Sequence, residues 1–386
     1  MKLVKPIARD CKELEMQTVD PEISDEDRAR FSEVVSVELD SRQIEQVLNP
    51  AAVHRRQEIV LGVHWHPEFV PLEMIRRRID TMFPNKTDEL LIPTQHNELM
   101  TFGDYAGVEV DCYASGFNQK VQLLLHFQAE RVQDASVLRS ILEHTFKYRS
   151  SQLFEFIDTL IKPDRERLGE AMRATGADQE LVEFVQAHVR KISTLLDEQW
   201  DSVPRISVKN KILRNYFDTM RQEIGENPVN RIQALLKAVK QLVKQDFSLK
   251  FFYRATEIIE EVRSLGGGVV IPHPEQFWPI LLADYDVDGY EVWNPQSQRY
   301  TEFLISVVND KNARRSASRG PILVFMGDDC HMGEKTKHPD QQDVEKAKRE
   351  IGVQPAWDDL AIRKQLIVAG ISRRTAIADY RARLAG

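Results

Sequence analysis

Three cysteines are few for 386 residues, and Cys11, Cys112 and Cys330 stand in no paired, metal-type spacing. No disulfide framework is indicated, and a reducing compartment is the natural expectation. Glycine and proline, 17 of each, are too sparse for a collagenous or linker-dominated chain. No apolar run approaches the ~18 residues that a membrane helix needs, and the longest, such as Pro321 to Met326, read as buried strands. The opening ten residues hold no apolar stretch of the secretory kind. An excess of positive charge is also missing. The 52 basic side chains face 60 acidic ones, and the net charge of −8 argues against a general nucleic-acid coat protein while allowing a local basic face. A cytoplasmic protein with no membrane partner is therefore expected, and its oligomeric state stays open.

What is present suffices for a sizeable core: 42% of residues are hydrophobic and 29% charged. At ~150 residues per domain the length suggests two or three domains, or one barrel with additions. Residues 1–56 are polar, and the run Asp20 to Arg28 offers a capped, acidic helix start. In 57–131 the texture turns to strands, at Glu58 to His66, Leu90–Pro93, Gly107–Tyr113 and Val121–Phe127. Residues 132–263 read as helices instead. Apolar side chains recur at helical spacing in Leu153, Phe156, Ile157 and Leu160, and again in Ile232, Leu235, Leu236 and Val239. Strands resume over 264–342, at Gly268–Pro272, Gly289–Trp293 and Pro321–Met326. The tail 343–386 is helical, with a break at Gly370-Ile371-Ser372. This pattern predicts one α/β domain interrupted by a large helical insertion.

The histidines carry the chemistry. In His64-Trp65-His66 alternate strand residues project to one face, so the two imidazoles can hold one metal. Asp329-Cys330-His331 repeats the spacing with a carboxylate and an imidazole. Glu109 and Asp111 share a strand face, and a carboxylate can bridge two cations. His96, His126 and His273 each end or follow an apolar run. In barrels, strand ends face a common pocket, so ligands distant in sequence converge.

The order His64-x-His66, His96-Asn97, Gly107-x-Glu109, His126, His273-Pro274 and Asp329-x-His331 resembles the PHP (polymerase and histidinol phosphatase) family. The run Asp288 to Asn294, between the last two motifs, strengthens the likeness. It covers roughly 57–130 and 265–335 and leaves out the helical block. The resemblance implies a distorted (β/α)7 TIM-like barrel, two or three divalent ions, and metal-dependent hydrolysis of a phosphate ester. It implies that His64, His66, Glu109 and Asp329 bind one ion, and that Glu109 bridges to a second held by His126 and His273. His96 and His331 would serve a third. Glu109, Asp329 and His331 are the expected catalytic residues. Where the family often has Ser-Asp-Gly after its first motif, this chain has Pro67-Glu68-Phe69, and Glu68 is expected to stand in as a ligand. His126 likewise shares the strand parity of Gln122, which occupies the usual histidine position. Mixed imidazole and carboxylate ligands suit Mn, Zn or Fe. A small phosphomonoester, a nucleotide or an oligonucleotide end would be the substrate. The rival expectation is a non-catalytic barrel that binds a partner or nucleic acid through its insertion and C-terminal helices.

Around this set, Asp111 is read as a polar neighbour, Cys330 as a small spacer, and Glu291, Asn294 and Glu275 as supports for ligands. Trp65 and Trp293 are read as packing. Residues 201–250 carry ten Lys/Arg against five acids, a solvated face or a lid that attracts polyanions. The tail also has the outline of a helix-turn-helix, with Ser372 as a cap, which two simply packed helices would share.

Overall fold

The computed structural model describes residues 19–162, 165–316 and 320–386. Cys11, Pro163 and the first part of the expected N-terminal segment lie outside them. The chain forms two compact units, one from residues up to Ser36 together with Ser150–Phe247, the other from Val37–Arg149 with Ser248–Gly386.

The first unit is helical. Its leading helix, Asp25–Val35, starts at the acidic run, where the Ser24 hydroxyl accepts from Asp27 N–H and the Asp27 carboxylate accepts from Ser24 N–H. The Asp27 carboxylate is buried and takes further bonds from Lys191 Nζ at 2.7 Å and the Tyr216 hydroxyl at 2.8 Å. The apolar stripes read from sequence face inward, with Phe156, Leu160, Ile232, Leu235, Leu236 and Val239 fully buried. Pro228 falls in the first turn of the helix Glu226–Asp246, where no intrahelical N–H is lost, and so does not break it.

Among the described residues the second unit holds ten strands: β1 (Ile59–Gly62), β2 (Trp65–His66), β3 (Asp88–Leu91), β4 (Met100–Phe102), β5 (Tyr105–Ala114), β6 (Gln119–Gln128), β7 (Gly268–Ile271), β8 (Gly289–Trp293), β9 (Leu323–Met326) and β10 (Cys330–His331). Six form one sheet in the order β4-β5-β6-β7-β8-β9, while β1 pairs with β3 and β2 with β10. The fold is mixed α/β, and these pairings do not close into a single ring of seven strands. The reason lies in the β5–β6 hairpin. β4, β5, β6 and β7 pair antiparallel, which needs only short turns, whereas a β/α barrel needs a crossover between every pair. Within this sheet only β7, β8 and β9 run parallel, and each is buried throughout, as their unbroken apolar runs require.

The flanks of the sequence-predicted insertion belong to the sheet unit. Leu138, Ile141 and Leu142 on one side, and Ile258, Ile259 and Val262 on the other, bury themselves in the core of the sheet. The tail closes the same core. Its last helix, Arg373–Ala385, is capped by Ser372 and buries Ile377, Tyr380 and Leu384. A Cβ on Gly268 would lie 2.5 Å from the Tyr380 hydroxyl, so a glycine is needed there for the tyrosine to enter. Arg381 adds bonds to the Asp88 carboxylate and the Glu89 carbonyl. The helix-turn-helix outline thus serves here to cover the sheet.

Candidate metal centre

The downstream ends of the parallel strands and the β5 strand deliver seven of the nine expected side chains to one place. β2 and β10 pair in parallel with His66 opposite His331, and their rings stack at 4.2 Å. His96 bridges to Glu109 through the backbone, with Asn97 N–H donating to Glu109 O at 2.7 Å. His273 follows β7 and Asp329 follows β9. Among the described residues five non-glycine positions have positive φ, and four of them are here: Glu68 (53°), Asn97 (54°), His273 (27°) and Asp329 (44°). Such strain persists only where surrounding structure enforces it, and it gathers at functional sites.

Among the described residues three groups of side chains are placed to hold a metal ion: His66, His96 and His331; His64, His66 and Asp329; His64, Glu109 and His273. In each the ligand atoms lie within 4.8 Å of one another. The two Glu109 oxygens face different partners. Oε1 is 3.5 Å from His273 Nε2 and 3.9 Å from His64 Nε2, while Oε2 is 2.5 Å from His96 Nδ1 and 3.7 Å from His66 Nε2. Asp329 Oδ1 faces His331, His66 and His64 Nε2 at 3.4, 3.6 and 3.7 Å. Among the described residues, His64 Nε2, both nitrogens of His66, His96 Nδ1 and both oxygens of Glu109 are buried and make no hydrogen bond. Each such atom costs about 1–3 kcal/mol if left so, and a divalent cation would satisfy them together. The donor set fits a metal.

The electrostatics point the same way. Burial pushes His64 down, but the Glu291, Asp329 and Glu109 carboxylates outweigh it and raise its pKa to about 10. Burial also lowers His66, and the neighbouring His331 and His96 reinforce it, to about 3. Glu109 is held well below the carboxylate range: burial opposes ionisation, and His96 and His273 overcome it. Asp329 is depressed similarly through His331 and His66. Both acids are ready as anionic ligands.

A layer behind the ligands fixes their orientation. His64 Nδ1 lies 2.6 Å from Glu291 Oε1, which leaves Nε2 for the centre, and Glu291 Oε2 accepts from His273 N–H at 3.0 Å. Asp329 Oδ2 accepts from Arg349 Nη1 at 2.6 Å and Gln296 Nε2 at 2.8 Å, turning Oδ1 inward. The supporting role read for Glu291 agrees with this place. Arg349 was not singled out from the sequence, because a lone arginine in a polar tail carries no pattern. Asp111 is a polar neighbour, accepting from Asn97 at 3.1 Å and Lys120 at 2.6 Å and pairing with Arg149. Cys330 is buried, and Trp65 packs edge-on against Phe102.

Two expected ligands are placed elsewhere. His126 belongs to none of the three groups, because its Nδ1 meets the Tyr380 hydroxyl at 2.7 Å and its Nε2 the Val63 carbonyl at 3.0 Å. β6 runs antiparallel to β7, so its downstream end lies opposite Gly268, at the start of β7 and away from the ligand end. Glu68 stands behind His331 instead of beside it among the grouped donors. Its Oε1 is 3.3 Å from His331 Nδ1 and its Oε2 accepts from Gly333 N–H at 2.9 Å.

No protein-family model matches the chain. No curated protein matches its sequence. Among solved structures, the chain is similar to a "putative metal-dependent phosphoesterase" from Bifidobacterium adolescentis at 15% identity, over 82% of this chain and 96% of that one, with a TM-score of 0.38. A likeness of that size establishes neither fold nor activity. The site rests on its own geometry.

Proposed function

We propose that the chain is a metal-dependent phosphoesterase of PHP type, with its two strand pairs and six-stranded sheet as a divergent form of that family's barrel. The observation that carries this reading is the set of unpaired, buried donors around Glu109 and Asp329. Two or three divalent ions, Mn, Zn or Fe, would supply Lewis acidity and a water of lowered pKa when bound. Glu109, with its oxygens turned to different imidazoles, is suited to bridge. Asp329 would ligate through Oδ1 while Arg349 and Gln296 hold Oδ2. His64 would ligate through Nε2 and give up its extra proton to do so, and Glu291 keeps its ring oriented. His331, between Asp329 and Glu68, is the group best placed to hold or pass a proton at the exposed rim. Phosphate rather than a neutral acyl group is favoured by Lys120 and Arg149, which bring two cations beside the Glu109 strand face.

The test is elemental analysis of the purified protein combined with turnover of phosphomonoesters, diesters and nucleotides after chelation and after adding Mn²⁺, Zn²⁺ or Fe²⁺. Metal-restored hydrolysis is expected. A metal-replete protein inert toward the whole panel would point instead to a non-catalytic binding module.

A further inference from the structure

The strand that carries Glu109 continues past the metal groups into a second recess. Residues 109, 111 and 113 project to the same face of β5, and Tyr113 stands about 13 Å beyond Glu109 at ~3.3 Å per residue. Tyr113 lines an open cleft of about 550 Å³ together with His144, Lys250, Phe251, Tyr253 and Arg254. The lining is aromatic to a degree that packing alone does not demand. Phe251 is 62% exposed, and behind it Tyr148 meets Phe251 and Phe252 at 5.3 and 5.0 Å. His144 and Tyr253 meet edge-on at 5.2 Å. The cleft therefore presents an exposed ring to solvent with a second ring tilted against it.

Charge connects this recess to the metal groups. Lys120 pairs with Tyr113 across the β5–β6 ladder and so shares its face, and it reaches Asp111 at 2.6 Å. Arg149 approaches the same carboxylate from the helix Ser136–Ile161. One acid thus holds two cations whose side chains are 35% and 45% exposed, leaving a positive surplus between Glu109 and the aromatic lining. Lys250 and Arg254 add two more positive groups at the cleft, against Glu257.

We infer that this cleft is a binding subsite for a flat aromatic ring attached to a phosphate, of the nucleobase class. The ring would stack on Phe251 and Tyr113 while the phosphate meets Lys120 and Arg149 on the side of Glu109. Base-on-aromatic stacking tolerates any base and contributes enough that losing it weakens binding roughly 5- to 150-fold. This deepens the phosphoesterase reading and rests on it for the identity of the reacting group, but the subsite itself binds without the ions.

The experiment is calorimetric titration of the full chain, kept in chelator so that nothing is hydrolysed, with adenosine monophosphate and with ribose 5-phosphate. Adenosine monophosphate should bind at least 5-fold more tightly. Phe251→Ala, an exposed position that the fold does not need, should erase that difference and leave ribose 5-phosphate unchanged. Lys120→Gln should weaken both. Equal affinity for the two ligands in the native chain, or an undiminished preference in Phe251→Ala, overturns the subsite. In the metal-loaded enzyme Phe251→Ala should raise KM for the nucleotide while kcat holds. Absence of turnover on every ester would overturn the phosphoesterase reading separately, since the chelated titration does not depend on it.

Discussion

Replacing Glu291 by Gln tests the layer that orients the ligands. Glu291 is fully buried and serves two donors at once: Oε1 faces His64 Nδ1–H at 2.6 Å, and Oε2 accepts from His273 N–H at 3.0 Å. A glutamine has one acceptor oxygen, so whichever way its amide turns, one of the two donors meets an NH2 group. The carboxylate fits there because residue 327 is a glycine, whose Cβ, if present, would lie 2.2 Å from Oε1. Both His64 and His273 sit in the group with Glu109, so a defect at either disturbs the same ligand set. Loss of such an outer partner costs about 10–100-fold in metal affinity, or roughly 1.4–2.7 kcal/mol. The proton on His64 opposes this loss only in part. Glu291 helps to raise His64 to about 10, so a metal must displace a proton at neutral pH, and the variant holds that proton less tightly. A divalent ion carries twice the charge of the proton, however, so the carboxylate favours the ion. Chelator-competition titration with Zn²⁺ at pH 8 should therefore show weaker binding. Calorimetry in buffers of different ionisation enthalpy should show fewer protons released per ion. Unchanged affinity together with unchanged proton release would refute the orienting role of Glu291.

Glu109→Gln should lower the metal content by more than one ion per chain, because its oxygens face separate imidazoles, and unaltered elemental analysis would remove the bridging role. Arg349→Met leaves the buried Asp329 carboxylate without its cation, which should cost roughly 3–5 kcal/mol in denaturant titrations of the chelated protein. The cost should shrink when metal is present, since an ion then compensates the carboxylate, and an equal loss in both conditions would count against Asp329 as a ligand. In the helical unit, burial holds His188 at about 4 against an ordinary 6.5; Asp27 opposes the shift, and Lys191 and Arg30 add to it. A lowered folded pKa means that its stability contribution is complete above pH 6.5 and is lost as pH falls toward 4, in all about 3 kcal/mol. His188→Gln should flatten that stretch of the stability profile, and a profile of the same slope would show that the acid sensitivity arises elsewhere.

The parts of the fold that were legible in the sequence are those where pattern and burial coincide. β7, β8 and β9 are buried on both faces, so they read as continuous apolar runs with polar residues just downstream, and His273 and Asp329 could be picked out as strand-end candidates. The helix at Asp25 declared itself through Ser24 and Asp27, a signal only four residues long. Strand direction left no such mark. An apolar run reads alike in either direction, so the antiparallel course of β6 was hidden, and with it the fact that His126 ends at the wrong end of the sheet. The same blindness made a closed barrel the natural expectation.

His126 also shows why parity alone could not settle the ligand set. It opposes Gly107, and its neighbour on the same strand face, Leu124, opposes Glu109. The imidazole therefore points to the ligand side of the sheet but one step further down, where Val63 and Tyr380 take both its nitrogens. Tyr380 comes from the final helix, some 250 residues later, and no local spacing can announce such a partner. Arg349 presents the same case: it reaches Asp329 from the tail and is neither periodic nor clustered. The candidate ligands are legible because a metal site favours short, repeated spacings, as in His64-x-His66 and Asp329-x-His331. The groups that hold ligands in place need only reach them, from any distance along the chain, so they follow from packing and become visible only with the fold.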